Sequence, residues 1–523
     1  MIGMTAVCAL LAFPVFLQAQ TPNSFYLPGD PPSLKKGERP TSNVGVELLV
    51  KGDSLFYGGS KGLELTIDRG QSWQYYGDRA PFNQAPYDAD PIPALAANGP
   101  VIWLSLSGSE RVDGQTLQKG EGLAVSTDNG ATWSIVPQPM EAEDATTYTI
   151  QYGQNQIKAL AVTTNFQNIT FDIAVTGNAV WTASFAGGLR KSTDGGQTFV
   201  PVILPPDFLD EISPNDTLDF DLSPVDRPDF DIRGNLNHRV FSVMATDDNT
   251  IWVGTAGGIN LSTDGGISWK KFNATNQTRA ISGNFVVALE QSFYDGQEII
   301  WAATNNAVDL LEYRAVSYTT DRGATWNTAL RDIFTNNFGV KDSIVYAATR
   351  EGIYRTDNAG KSWTFFDRFT DLQTGNRITD PRSYAAASQG DDVWITTADG
   401  LVRSVDTEGS VFGTEWDVER AFQESGSISE PYAYPNPFAP DDEVCRVHYK
   451  TDASGMVSIR IYDYAMFPVR TLIQSVSRAA ETEHDEIWDG LDDNGSQVAN
   501  GLYYIQVEIG DNDPVWTKII VLQ

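Results

Sequence analysis

The sequence predicts an all-β chain, a seven-bladed β-propeller followed by a small β-sandwich. Three observations predict it. An eight-residue turn motif recurs across residues 41–425, short alternating apolar runs precede most of its copies, and beyond residue 430 the motif gives way to a different set of strand-like runs.

The motif has the form Ser/Thr-x-Asp-x-Gly-x-Ser/Thr-Trp/Phe. It occurs as TIDRGQSW at 66–73, STDNGATW at 126–133, STDGGQTF at 192–199, STDGGISW at 262–269 and TTDRGATW at 319–326. A sixth copy, RTDNAGKSW at 355–363, reads as carrying one extra residue and lacking the first hydroxyl. A seventh, decayed copy is read around Ser404-Val405-Asp406, with Trp416 displaced downstream. In each copy a carboxylate can accept backbone N–H groups a few residues on and close an Asx-type turn. Glycine supplies the positive φ, and the aromatic re-enters the next strand beneath the turn. Asp68, Asp128, Asp194, Asp264, Asp321 and Asp357 are therefore expected to be structural.

The runs ahead of the later copies alternate as half-buried strands do, for example VWTAS at 180–184, IWVGT at 251–255 and VWITT at 393–397. Successive aspartates stand 36 to 70 residues apart. A four-stranded blade needs roughly 35 to 45 residues, so each interval holds one blade with its loops and none holds two. Seven blades follow, with six, or eight if the N-terminal segment adds one, as alternatives.

These repeats resemble the Asp-box (BNR, sialidase-like) family, found in sialidases, sortilin-type receptors, some polysaccharide hydrolases and photosystem assembly factors. The resemblance implies boxes at blade edges, away from any central site. A sialidase would also carry an Arg-Ile-Pro motif near the first blade, which this sequence lacks. The stretch 240–259 is also similar to the propeller repeat in sensor domains of hybrid two-component systems.

From residue 426 the repeat stops. YPNPF at 434–438 opens a segment of short strand runs, including 444–449, 457–462, 501–507 and 516–522. This pattern suggests a β-sandwich. The segment 431–523 resembles the Ig-like domain of the flagellar hook-cap (FlgD-type) family and type IX secretion sorting domains, through YPNPF, IRIYD at 459–463, WDGLDDNG at 488–495 and GLY at 501–503. Met466 departs from the family, which usually has glycine after the Tyr-Asp strand. The resemblance implies contact with export machinery, then release or surface attachment. Asp489, Asp492, Asp493 and Asn494 invite calcium, but Gly490 breaks the alternating ligand spacing, so a solvated turn is expected.

Residues 1–20 read as a signal peptide without the usual basic residues ahead of its apolar run, residues 21–40 as a linker, and 426–430 as a second linker. With 68 acidic against 36 basic residues and a net charge of −32, the surface repels nucleic acid and anionic membrane. No later segment has transmembrane length. Cys8 and Cys445 form no disulfide framework, and His238, His448 and His484 have no metal-site spacing. No cofactor is expected, calcium being the one ion considered. No Ser-His-Asp set or phosphate loop is visible.

The expected role is a secreted or outer-surface propeller that binds a polysaccharide or surface protein, with no membrane insertion. The alternatives are an extracellular glycoside hydrolase and a scaffold of the export machinery. The candidate binding insertion follows the third box, where Phe208, Asp210, Asp219, Phe220, Asp221, Asp229 and Phe230 interleave aromatic rings with carboxylates. The competing reading is a solvated acidic loop whose aromatics pack on a blade edge. The insertions at 108–120 and 140–164 are also long enough to shape a binding face.

Overall fold

A computed structural model describes residues 39–522 apart from 85–90, 113–114, 226–235, 308–310, 373–376, 408–411, 421–430, 435, 441–443, 452, 481, 511 and 513. The expected signal peptide, most of the first linker, the second linker and the candidate residues Asp229 and Phe230 lie outside the described residues. Two compact units divide the chain, with residues 37–422 in one and 423–523 in the other. The described residues are strands and turns with one short 3-10 turn, Leu236–His238. No helix among them is long and apolar enough to cross a membrane.

Among its described residues the larger unit holds seven antiparallel sheets, six of four strands and one of five, plus a two-stranded hairpin. The first sheet shows the plan: Gly45–Lys51, Ser54–Gly59, Gly62–Thr66 and Gln74–Tyr75 pair in sequence order. Second strands are the most apolar, and Val180–Ser184, Ile251–Thr255 and Asp392–Thr397 are buried throughout. Such strands are covered on both faces, as stacked sheets require. Each pair of successive sheets shares one core, and a further core joins Leu48, Tyr57 and Trp73 of the first sheet to Ala385, Trp394 and Leu401 of the last. The stack therefore closes on itself as a β-propeller.

The motif turns fasten this ring. In the second copy Ser126 Oγ donates to Asp128 and accepts the Gly130 N–H, while Asp128 accepts both the N–H and the hydroxyl of Thr132. Those donors hold the Asp128 carboxyl down to about 2, and Thr198 does the same for Asp194. Asp68, Asp264 and Asp321 accept from Ser72, Ser268 and Thr325 in the same way. The fifth motif position is left-handed and faces an aromatic ring of the preceding sheet. A Cβ at Gly196, φ +88°, would stand 2.3 Å from Trp103, and one at Gly360, φ +77°, 2.9 Å from Trp301. Glycine is needed there on both counts.

The sixth copy corrects the expectation for Asp357. Asn358 accepts from Thr356 Oγ1 and from the Ser362 N–H, and Gly360 N–H donates to Thr356. Thr356 is thus the first hydroxyl, Asn358 occupies the aspartate position, and no residue is inserted. Asp357 instead pairs with Arg355 at 2.8 Å. A carboxamide oxygen accepts the N–H that a carboxylate would, so the turn survives the exchange. The seventh copy keeps part of the pattern across a longer loop, since Gly413 N–H reaches Ser404 Oγ at 3.2 Å. Asp406 has turned away to accept from Arg355 Nε at 2.6 Å and from the Tyr346 hydroxyl.

In the smaller unit a three-stranded and a four-stranded sheet share one core, with Trp488, Tyr449, Ile459, Ile505 and Val521 at its centre. Cys445 is fully buried in it. Met466 lies at φ +65°, which explains why glycine suits that position. Asp492 accepts the N–H groups of Asn494 and Ser496, as a closed turn requires.

Candidate functional site

Each sheet of the ring is a meander, so its two ends differ. One end carries the first hairpin turns, all short, and the motif turns. The other carries the second hairpin turns and the connections between sheets. The longest connections fall at this second end, at 76–94, 137–169, 202–239 and 367–382. The hairpin Val101–Val112 with Gln115–Ser126 also extends there beyond its sheet. Loops gathered at one end of a rigid scaffold are where binding surfaces are built.

The described residues of the candidate insertion after the third box do not gather toward the ring axis. Glu211–Ile212 adds a fifth strand to the outer edge of the fourth sheet. Phe220 is buried, and Phe208 packs edge-on against it at 6.5 Å while staying half exposed. Asp210 accepts from Asn276 at 3.0 Å, and Asp221 pairs with Lys158 at 3.6 Å. Asp219 is exposed. Leu222 bonds the hairpin Thr147–Tyr152 with Asn155–Leu160 through Lys158 and Leu160. These contacts hold the insertion and that hairpin to the rim.

The residues that do converge come from the first strands of the sheets, which contact one another around the axis. Six of the seven carry a bulge near the insertion-bearing end, at Gly45/Glu47, Thr170/Asp172, Val240/Ser242, Val286/Ala288, Thr335/Asn337 and Ser383/Ala385. A bulge leaves ladder N–H groups unpaired. Inner-strand side chains satisfy several. Glu47 accepts from Leu48, Asp172 from Ile173 and from Val243 of the neighbouring sheet, and Asn337 from Phe338, while Glu290 accepts from Gln291 beyond the bulge of its strand. Asn337 also donates to Glu47 at 3.0 Å. Burial pushes Glu47 up to about 8 and Asp172 and Glu290 to about 7, with Asp172 and Glu290 adding to the rise at Glu47 and Asp172 to that at Glu290.

Around the channel mouth the chemistry is divided. On one side Phe171 stacks on Phe241 at 5.5 Å, Phe285 meets Phe241 edge-on at 4.7 Å, and the Arg239 guanidinium lies 5.3 Å over Phe185. On the other, Arg350 lies 3.8 Å over Phe334 and Arg331 3.8 Å over Tyr313. Burial holds Arg350 below its usual value, and Arg314 and Arg382 add to that. Among the described residues no group of three or more His, Cys, Asp or Glu has the spacing to hold a metal ion.

Sequence reasoning missed this constellation because its members lie one or two to a sheet, each in an ordinary strand context. The one available signal was an acidic or amide residue two places into a predicted first strand, as at Glu47, Asp172 and Asn337.

No family model matches the chain, and no curated protein does either. Among solved structures an ancestral GH74 enzyme matches with a TM-score of 0.50 at 14% identity, over 93% of this chain and 64% of that one. YCF48 from Cyanidioschyzon merolae matches with a TM-score of 0.42 at 13% identity, over 72% of this chain and 99% of that one. PorZ, a surface component of the type-IX secretion system of Porphyromonas gingivalis, gives 0.25 at 12% identity, over 92% and 75%. At such identities the likeness concerns the fold alone, a β-propeller.

Proposed function

We propose that this is an exported seven-bladed propeller, released or held at the outer cell surface, that binds a macromolecule across its insertion-bearing end. The ligand class is a polysaccharide or a surface protein. The observation that carries the reading is the channel mouth, where aromatic rings and stacked guanidiniums from separate sheets meet on the face that also bears the long insertions. Stacked arginine and aromatic side chains are the usual anchors of macromolecular recognition. The aspartates of the motif turns are structural on this reading. The C-terminal unit is read as the FlgD-type Ig-like sorting domain that engages the export machinery.

The channel carboxylates favour a second reading, an extracellular glycoside hydrolase, because a general acid works best with its pKa near the working pH. Binding remains first, since Glu47, Asp172 and Glu290 already bond strand N–H groups.

The test passes the full chain over a panel of immobilised soluble polysaccharides while following retention and new reducing ends. Retention should fall about tenfold or more in Phe185→Ala and Arg350→Ala, a loss of about 1.4 kcal/mol. Retention indifferent to both variants would sink the mouth as the binding site. New reducing ends that vanish in Glu47→Gln or Glu290→Gln would establish the hydrolase. Silence on both readouts would remove the glycan readings for that panel and leave surface proteins.

A further inference from the structure

Among the described residues the ring closes without a shared strand, because the first sheet takes its strands from the start of the unit and the last sheet takes its own from the end. Among the described residues, side-chain packing and an ion pair hold this seam. Arg69 makes two bonds of 2.6 Å to the buried Asp392, and Trp73 meets Trp394 edge-on at 6.4 Å. Beside these contacts lies a cavity of about 220 Å³, lined by Arg39, Arg69, Arg403, Asp371, Asp417 and Glu419.

Three guanidiniums face three carboxylates across it. With Asp392 behind Arg69 counted, four carboxylates stand against three guanidiniums, so the charges nearly cancel and a charged ligand gains little net attraction. A hydroxyl, which both donates and accepts, finds partners of both kinds. Arg69 and Arg403 bond Asp392 and Asp417, but a guanidinium carries five donors, and Gln71 adds an amide. Glu419 is the exception to the pairing. It is partly buried and accepts no hydrogen bond from any described residue, and burial pushes its carboxyl up while Arg39 opposes. The volume is below the roughly 300 Å³ at which pockets for drug-sized ligands begin, so it suits one ring rather than a chain.

We propose that the seam cavity binds a single uncharged sugar ring, with Glu419 accepting from a ligand hydroxyl and Arg39, Gln71 and Arg403 donating to its oxygens. Seated there, the sugar ties the first sheet to the last. This site is distinct from the channel mouth and does not depend on it.

Saturation-transfer NMR and thermal unfolding of the full chain test this with glucose, galactose, mannose and xylose, and with glucuronate and glucosamine as charged counterparts. At least one neutral sugar should show transfer and raise Tm, with its charged counterpart binding more weakly. Glu419→Ala should weaken that binding tenfold or more, and Gln71→Ala, at an exposed position, should weaken it without threatening the fold. Methyl glycosides run alongside: binding equal to the free sugar assigns the cavity to chain ends, weaker binding assigns it to monosaccharides, and either supports the proposal. No response to any neutral sugar, tighter binding of the charged forms, or a response unchanged in both variants would overturn it. Polysaccharide retention on the same preparations keeps the two sites apart, because sugar silence with retention intact removes the seam site alone.

Discussion

Asn358 and Asp357 stand side by side, and only one of them closes a turn. The Asn358 carboxamide accepts two hydrogen bonds within the motif, whereas the Asp357 side chain, 56% exposed, meets Arg355 at the surface. Asn358→Ala removes acceptors that the Thr356 hydroxyl and Ser362 N–H use, and should cost about 1 kcal/mol in urea unfolding. Asp357→Ala should stay within about 0.5 kcal/mol, the range of exposed ion pairs. Equal losses would return the structural role to Asp357. The two were confused in the sequence because either fits an Asx turn, and only the Thr356–Gly360 bond reveals the register. The other five aspartates were legible, since their serine or threonine, glycine and aromatic neighbours all keep one spacing.

At the scale of elements, the seam between the first and last sheets adds one buried ion pair to its shared core. Asp392 is 4% exposed and its partner Arg69 is 58% exposed. Removing one member of a buried pair costs about 3–5 kcal/mol, and the exposure of Arg69 together with Arg403 at 3.8 Å from Asp392 reduces that. Arg69→Ala should therefore destabilise the chain by about 2 kcal/mol, whereas Arg322→Ala, an exposed pair within the fifth sheet, should cost less than about 0.5 kcal/mol. Urea midpoints of the two variants check this, and equal shifts would mean that the seam is no weaker than any other junction. The strands themselves were legible as alternating runs ahead of each turn. Which residues would bridge the seam was not, because Arg69 and Asp392 stand 323 positions apart in the sequence.

For the whole molecule, the channel carboxylates set a dependence on pH. Unfolded, Glu47, Asp172 and Glu290 titrate near 4, and in the fold they titrate at about 7 to 8. Between those limits the folded chain binds more protons than the unfolded one, so stability falls as pH rises. Asp128 and Asp194 act in the opposite sense. Held at about 2, they contribute stability above the ordinary carboxylate range that is lost as pH falls through it. The urea midpoint should thus be lower at pH 8.5 than at pH 5.5, and Glu47→Gln should flatten that fall. A midpoint that rises across this interval would contradict the channel geometry.

The sequence by itself determined what local chemistry can specify. A motif of hydroxyl, carboxylate, glycine and aromatic at constant spacing dictates a turn and the strands on either side, and repetition of that motif dictates an all-β repeat architecture. The tertiary structure alone decided where those units meet and what they surround. The channel carboxylates, the aromatic and arginine mouth, and the seam cavity are each assembled from residues tens to hundreds of positions apart. The same separation explains why the acidic insertion stood out in the sequence, while its described residues lie at the rim. Local density of charge is visible along a chain, but convergence in space depends on the ring closing.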